Sequence, residues 1–262
     1  MYSFEIVRPK SVAEAITALG EEEAQALGGG QTLIPSLKQR LAAPSVLVSL
    51  ASIDEIKGVS SAGGVVTIGG GTTHGTVARE AAASYPALSA LAGNIGDPAV
   101  RNRGTVGGSL ANNDPAACYP AAALASGATI VTANREIAAD DFFEGLFTTA
   151  LEDGEIITAV KFPVPEKAAY IKFEQPASRF ALVGVFVAKF ADGVRVAVTG
   201  ASEGGVFRWT EAEEALSGDF SAAALDGLTV DADGLMTDLH GSAAYRAHLI
   251  GVLTKRAVAQ AA

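Results

Sequence analysis

Apolar and polar positions follow two textures along this chain. Up to about residue 155, short apolar runs bounded by glycines alternate with segments of helical period; beyond it, strand-length apolar runs follow one another closely. Ser11-Val12-Ala13-Glu14 reads as a capping box that opens a helix ended by Gly20. A strand over 24–27 runs into Gly28-Gly29-Gly30, and a helix is predicted from Gln31 to Arg40, with Leu33, Ile34, Leu37 and Leu41 on one side. Pro35 falls in its first turn, where proline is tolerated. Val46–Leu50 and Val65–Ile68 read as strands, and Thr76–Leu91 as one Ala-rich helix. A Gly-rich loop over 93–109 follows. Asp114-Pro115 has the form of a helix start, N-cap then proline, for a helix reaching about Ser126 and disturbed at Pro120. Ala128–Ala133 is a strand. The later strands are Ile156–Phe162, Tyr170–Phe173, Leu182–Phe190 and Val194–Thr199, with a hairpin signal at Asp192-Gly193, and the tail over 209–260 is helical by composition. A boundary is expected near 165–175, around Pro163, Pro165 and Pro176.

Composition narrows the chemistry. About half of the 262 residues are hydrophobic, enough for a sizeable core, and no apolar run reaches the ~18 residues of a membrane span. The N-terminal segment has no secretory pattern, so a cytoplasmic location is expected. A net charge of -10 disfavours nucleic acid as a partner. Cys118 is the single cysteine, so no internal disulfide and no four-cysteine iron–sulfur site is available, and His74, His240 and His248 are scattered. No metal site is expected on this chain. A bound diphosphate would depend mainly on backbone N–H groups.

Glycine clusters offer such groups. Gly28-Gly29-Gly30-Gln31-Thr32-Leu33 stands between a strand and a helix, where successive N–H groups form an anion nest. Taken alone it is equally a tight turn without a ligand. It is neither a Walker loop nor a good Rossmann fingerprint. Arg103-Gly104-Thr105-Val106-Gly107-Gly108-Ser109 repeats the pattern ahead of Asp114, and two such loops could clamp a pyrophosphate from both sides. Gly69-Gly70-Gly71-Thr72-Thr73-His74 adds hydroxyls within reach of a ribityl chain or phosphate. For His74 a loop histidine with a backbone partner is favoured over a catalytic one.

Other features read as structural. Glu152-Asp153-Gly154-Glu155 is a turn, Glu21-Glu22-Glu23 a solvated helix end, and Trp209 a packing residue. Ser109 has no nucleophile elbow. Arg101 and Arg103 fit phosphate or carboxylate, with carboxylate slightly favoured.

The series LGGGQTLIPSLKQRLAAPSVLVSL, TIGGGTTHGTVA and IGDPAVRNRGTVGGSLANNDPAACYPAA resembles the FAD-binding medium subunit of molybdenum hydroxylases, the carbon monoxide dehydrogenase and xanthine dehydrogenase family. EGLFTTALEDGEIITAVKFP, SRFALVGVFVAKF and VRVAVTGASEGGVFR extend the likeness over nearly the whole chain. The resemblance implies an α+β fold: two α/β subdomains of vanillyl-alcohol-oxidase-like type holding FAD (1–55 and 56–168), then an antiparallel sheet with helices (169–262). It implies that Gly28, Gly29, Gly30, Gln31, Thr32 and Leu33 cradle the FAD pyrophosphate together with Gly104, Thr105, Gly107, Gly108 and Ser109. It implies further that Thr72, Thr73 and His74 lie along the cofactor, and that Asp114 binds it. Cys118 stands where the family's DPAAD pattern has its second Asp, and reads as a packed residue, not a redox thiol.

The implied role is electron relay. A large molybdenum-cofactor subunit hydroxylates the substrate, a small 2Fe-2S subunit carries electrons to FAD, and FAD passes them to NAD, a quinone, oxygen or another carrier. A dimer of heterotrimers is the implied assembly. The chemistry belongs to the cofactor, so no residue is assigned a catalytic role. Two rivals predict other behaviour: a stand-alone flavin reductase would turn over its own substrate, and a scaffold that kept the fold would bind no flavin. Gly107→Asp and Gly30→Asp are expected to abolish FAD retention by setting a carboxylate against a diphosphate. Tyr170, Phe173 and Phe180 are candidates to cover the flavin ring, with core packing the favoured role for each.

Overall fold

The structure, a computed structural model, describes residues 1–261. Its first sheet is parallel, with β3 (Val46–Ser49) between β1 (Glu5–Val7) and β2 (Ala24–Leu27). Parallel neighbours need crossover connections, which α1 (Val12–Leu19) and α2 (Leu33–Lys38) supply. Ser11 caps α1 as predicted, its hydroxyl accepting the Glu14 N–H. The Glu14 carboxylate returns to the Lys10 N–H, one residue short of a reciprocal capping box. Helix α2 is shorter than the predicted 31–40: Gln31 and Thr32 stay in the loop, and Arg40 turns left-handed at φ 62.

The middle of the chain holds β4 (Val59–Ala62), β5 (Val65–Gly69), α3 (His74–Glu80), α4 (Pro86–Gly93), α5 (Pro98–Arg101), α6 (Val106–Asn112), α7 (Tyr119–Ser126), β6 (Thr129–Thr132), β7 (Glu136–Ala138), β8 (Phe143–Gly145), β9 (Thr148–Thr149) and β10 (Ile157–Pro163). Strands β4-β5-β10-β6-β7 form an antiparallel sheet in that order, and β8–β9 is a separate hairpin. The single helix predicted over Thr76–Leu91 is two, because Pro86 has no N–H to continue the first and stands at the first turn of the second. The loop over 93–109 contains two helix starts, Asp97 capping α5 and Thr105 capping α6. Conversely, no helix starts at Asp114. Its carboxylate accepts the Ala116 N–H at 2.8 Å and its carbonyl accepts the Ala117 N–H at 2.9 Å, closing a turn in place of a helix. Helix α7 begins at Tyr119, so Pro120 lies in its first turn and does not disturb it.

Strands β11 (Lys167–Glu174), β12 (Ala181–Phe190), β13 (Gly193–Ser202) and β14 (Gly205–Arg208) form an antiparallel meander, followed by α8 (Thr210–Gly218) and α9 (Ala243–Ala261). The predicted helical tail is therefore only partly helical. Between 219 and 242 the chain has one short 3-10 turn, Ala222–Leu225, and carries Asp226-Gly227, Asp231 and Asp233-Gly234, residues that favour turns.

All of α7 is buried. A helix apolar on every side must be covered on every side, and α7 packs against β10 of the second sheet and against β12 and β13 of the third. Its core continues into Tyr170, Phe186, Ala188 and Ala197 of that third sheet. The other face of β12–β13 packs on α8 and α9, where Trp209 is buried at 3 % exposure, as its packing role required.

Candidate functional site

One cavity of about 880 Å³ collects the glycine loops, within the ~300–1,000 Å³ usual for cofactor sites. Its wall includes Gly28, Gly29, Gly30, Gln31, Thr32 and Leu33 from the β2–α2 loop, and Thr72, Thr73 and His74 ahead of α3. Gly104, Thr105, Gly107, Gly108, Ser109 and Asp114 complete the set singled out in the sequence.

The loops meet because they are built of glycine. A Cβ on Gly29 would stand 2.0 Å from the Arg103 carbonyl oxygen, and one on Gly107 would stand 2.7 Å from that of Gly70. Gly30 adopts φ +73, where other residues are strained. Substitution thus strains the backbone and crowds the Ile34 side chain at Gly30, and disrupts backbone packing at Gly107, before any charge meets a diphosphate, so the Asp variants report on folding.

The loops differ in what their N–H groups do. Around Thr105 most donors are used within the protein: Val106 N–H to Thr72 O at 3.1 Å, Gly107 N–H to Gly70 O at 2.8 Å, and Gly108 N–H to the Thr105 hydroxyl at 3.1 Å, while the Thr105 N–H has no acceptor among the described residues. His74 N–H likewise bonds Gly104 O at 2.9 Å, stapling α3 to this loop. In the β2–α2 loop, the N–H groups of Gly29, Gly30, Gln31, Thr32 and Leu33 have no acceptor among the described residues. A run of donors on a cavity wall suits an anion with several oxygens. The first loop presents five such donors in a row, the second only that of Thr105.

Thr72 is 2 % exposed, and its hydroxyl both donates to Gly58 O and accepts the Gly58 N–H. Thr73 caps α3, its hydroxyl 3.0 Å from that of Thr76. These two threonines shape the wall through protein partners. Asp114 spends one carboxylate oxygen on Ala116 and keeps the other available.

His74 is 5 % exposed, with its ring 5.3 Å from that of Tyr119 and its Nδ1 buried without a partner. Burial, and secondarily the Arg101 charge, lower its pKa to about 4, so the imidazole is neutral at pH 7. An orphaned lone pair at Nδ1 costs less than an orphaned N–H, which favours the proton on Nε2. Nε2 lies beside Gly104, where an added Cβ would stand 2.5 Å away. The backbone contact expected of His74 runs through its own N–H, not its ring.

Among the described residues neither arginine pairs with a carboxylate, contrary to the sequence reading. Arg101 donates to Ile95 O and Gly96 O at 3.1 and 2.8 Å, and Arg103, exposed, lines the cavity. Cys118 is a buried free thiol whose pKa burial pushes up, which suits a packed, unreactive residue.

Sequence reading missed Lys172, Ser178 and Arg179 in the wall contributed from beyond residue 170, and favoured core packing for Phe180, which also lines it. The Lys172 side chain is 1 % exposed, and its ammonium donates to Asn94 O at 2.7 Å and Arg179 O at 3.0 Å, with Glu174 at 3.6 Å. A lysine inside an apolar strand, AAYIKF, was the available signal, since lysine is rarely buried without a purpose. Of the ring-covering candidates, Tyr170 packs in the core against Phe186, Phe173 meets Tyr245 near the surface, and only Phe180 lines the cavity, half exposed.

Comparison with known proteins gives the family. The family described as FAD binding domain in molybdopterin dehydrogenase matches residues 2–165. The chain is 34% identical to the carbon monoxide dehydrogenase medium chain of Afipia carboxidovorans, over 99% of this chain and 96% of that one. It is 34% identical to the nicotine 6-hydroxylase medium subunit of Paenarthrobacter nicotinovorans, over 97% and 95%. Among solved structures, reconstituted CO dehydrogenase from Oligotropha carboxidovorans superposes with a TM-score of 0.89 at 32% identity, covering 99% of this chain and 98% of that one.

Proposed function

From the premise that this chain belongs to the FAD-binding medium-subunit family of molybdenum hydroxylases, we propose that it works as the electron outlet of such an enzyme. It is an FAD-dependent oxidoreductase subunit. Bound FAD would take electrons from 2Fe-2S clusters on a small partner subunit, fed by a large molybdenum-cofactor subunit, and release them to NAD, a quinone, oxygen or another carrier. The observation that carries the site assignment is the run of free N–H groups from Gly29 to Leu33 on the wall of the large cavity. These groups hold the diphosphate, with the loop from Gly104 to Ser109 bracing them from behind. Asp114 accepts from a cofactor hydroxyl through its free oxygen. His74, neutral, donates from Nε2, and Thr72 and Thr73 keep that wall in shape. Lys172 ties the loop bearing Arg179 and Phe180 to Asn94 across the cavity.

We keep the division into FAD subdomains at 1–55 and 56–168 and a C-terminal unit at 169–262. The cytoplasm is the proposed location and a heterohexamer the proposed assembly; no helix among the described residues is long and apolar enough to cross a membrane. The relatives are named for substrates as unlike as carbon monoxide and nicotine, so substrate choice is assigned to the molybdenum partner.

Purification of the native complex tests the relay. A small 2Fe-2S chain and a large molybdenum chain should copurify, and substrate should bleach the flavin only while both are present. Isolation of the chain alone, turning over a substrate of its own, would overturn the relay in favour of a stand-alone flavin enzyme.

A further inference from the structure

The family match ends at residue 165, yet the cavity loop that carries Asp114 is gripped from beyond that point. Strand β13 breaks register between Val198 and Ser202. At the break, Gly200 adopts φ +83, and a Cβ there would stand 2.5 Å from Ala181 O. The Gly200 N–H turns out of the sheet and donates to Pro115 O at 2.8 Å. Next to it, the Thr199 hydroxyl, on a residue 1 % exposed, lies 2.7 Å from Ala117 O and 2.9 Å from Pro115 O. It has one proton. Pro115 O already receives the Gly200 N–H, so the hydroxyl serves Ala117 O first. On the far side, Arg246 of α9, 2 % exposed, donates to Leu182 O and Gly200 O, both at 2.7 Å, and pairs with Asp238 at 2.8 Å.

We propose that Thr199 is a positioning residue for the FAD site: from the C-terminal sheet it fixes the turn over 114–117, and with it the Asp114 carboxylate on the cavity wall. The turn's own bonds, Ala116 N–H to the Asp114 carboxylate and Ala117 N–H to Asp114 O, set its shape. They do not set its place against the cavity. Among the described residues the outward carbonyls of Pro115 and Ala117 have donors only in β13, and a buried carbonyl left without a donor moves or admits water. The break in β13 is therefore a bracket for the cofactor wall, and Arg246 holds it in the left-handed conformation it needs. The inference rests on the proposed contact between Asp114 and the cofactor.

The test uses the full chain as apoprotein, titrated with FAD and followed by flavin fluorescence and visible circular dichroism. Thr199→Val keeps the shape and removes the donor. It should weaken FAD binding about tenfold and change the visible dichroism, and Thr199→Ser, which restores the hydroxyl, should recover both to within about twofold. If the valine variant does not fold, Thr199→Ala against Thr199→Ser gives the same comparison. A folded valine or alanine variant with wild-type affinity and dichroism would overturn the proposal, as would a serine variant no better than they are. Asp114→Ala separates the two levels: unchanged FAD affinity in that variant would overturn the Asp114 contact itself, and the Thr199 role with it.

Discussion

At neutral pH the His74 ring is uncharged because charging it would bury a cation beside Tyr119 and near Arg101. In the unfolded chain the same ring titrates near 6.5. A folded pKa of about 4 lies below that, so the unfolded state binds the proton first and stability drains away as pH falls from about 6.5 to 4. The loss from this group is on the order of 3 kcal/mol. His74→Gln, which cannot titrate, should flatten that part of the profile in urea unfolding at pH 7, 5 and 4; parallel profiles for both proteins would contradict the assignment. Glu155 acts in a separate window. Its hydrogen bonds from Arg135 hold its pKa near 2, so its contribution is lost only below about pH 4.5. Lys172 is a different case, a buried ammonium serving two carbonyls. Lys172→Met should cost roughly 1–3 kcal/mol and speed amide exchange over 175–180.

Among the elements, the two glycine loops share composition and differ in task. Both carry small residues because backbone crosses backbone, as the close approach of Gly29 to Arg103 requires. Gly29→Ala should therefore lower stability with or without FAD, by about 1–3 kcal/mol, as read from the thermal midpoint of the apoprotein. Gln31 is exposed, and its amide folds back on Gly29 O at 3.0 Å. Gln31→Glu adds a charge beside the open N–H run and gives up only the exposed bond to Gly29 O. Its expected signature is FAD affinity reduced by about 10- to 100-fold at low salt, a defect that shrinks as salt rises, and an unchanged apoprotein midpoint. Equal affinity for both proteins would remove the diphosphate from this loop. The Asp114 turn teaches the complementary point. Asp-Pro is a strong local helix start, but here the Asp114 carboxylate and carbonyl close a turn on Ala116 and Ala117, and distant donors to Pro115 O and Ala117 O anchor it.

For the molecule as a whole, α7 and the third sheet make one core from segments far apart in the chain. Residues 1–165 alone would leave α7 without its cover on β12 and β13, and would lack Lys172, Phe180 and the Thr199 bracket. That fragment should show no sharp cooperative melting and no FAD retention; a fragment that melts cooperatively and binds FAD like the full chain would show that the C-terminal unit is dispensable.

What the sequence determined by itself is local. Ser11 capping α1, the apolar runs of β3, β5 and β12, the glycines that permit close loops, and the order of motifs that identifies the family all depend on residues near one another in the chain. The α+β class and the FAD cofactor were legible for that reason. Tertiary structure decided what depends on a distant partner. It anchored the 114–117 turn on β13, used most of the N–H groups around Thr105 and left those from Gly29 to Leu33 free. It also brought Lys172 and Thr199 to a cavity that their own neighbourhoods do not announce. The physical reason is the same in each case: a buried polar group must find a partner, and nothing in its immediate sequence says which distant segment will supply one.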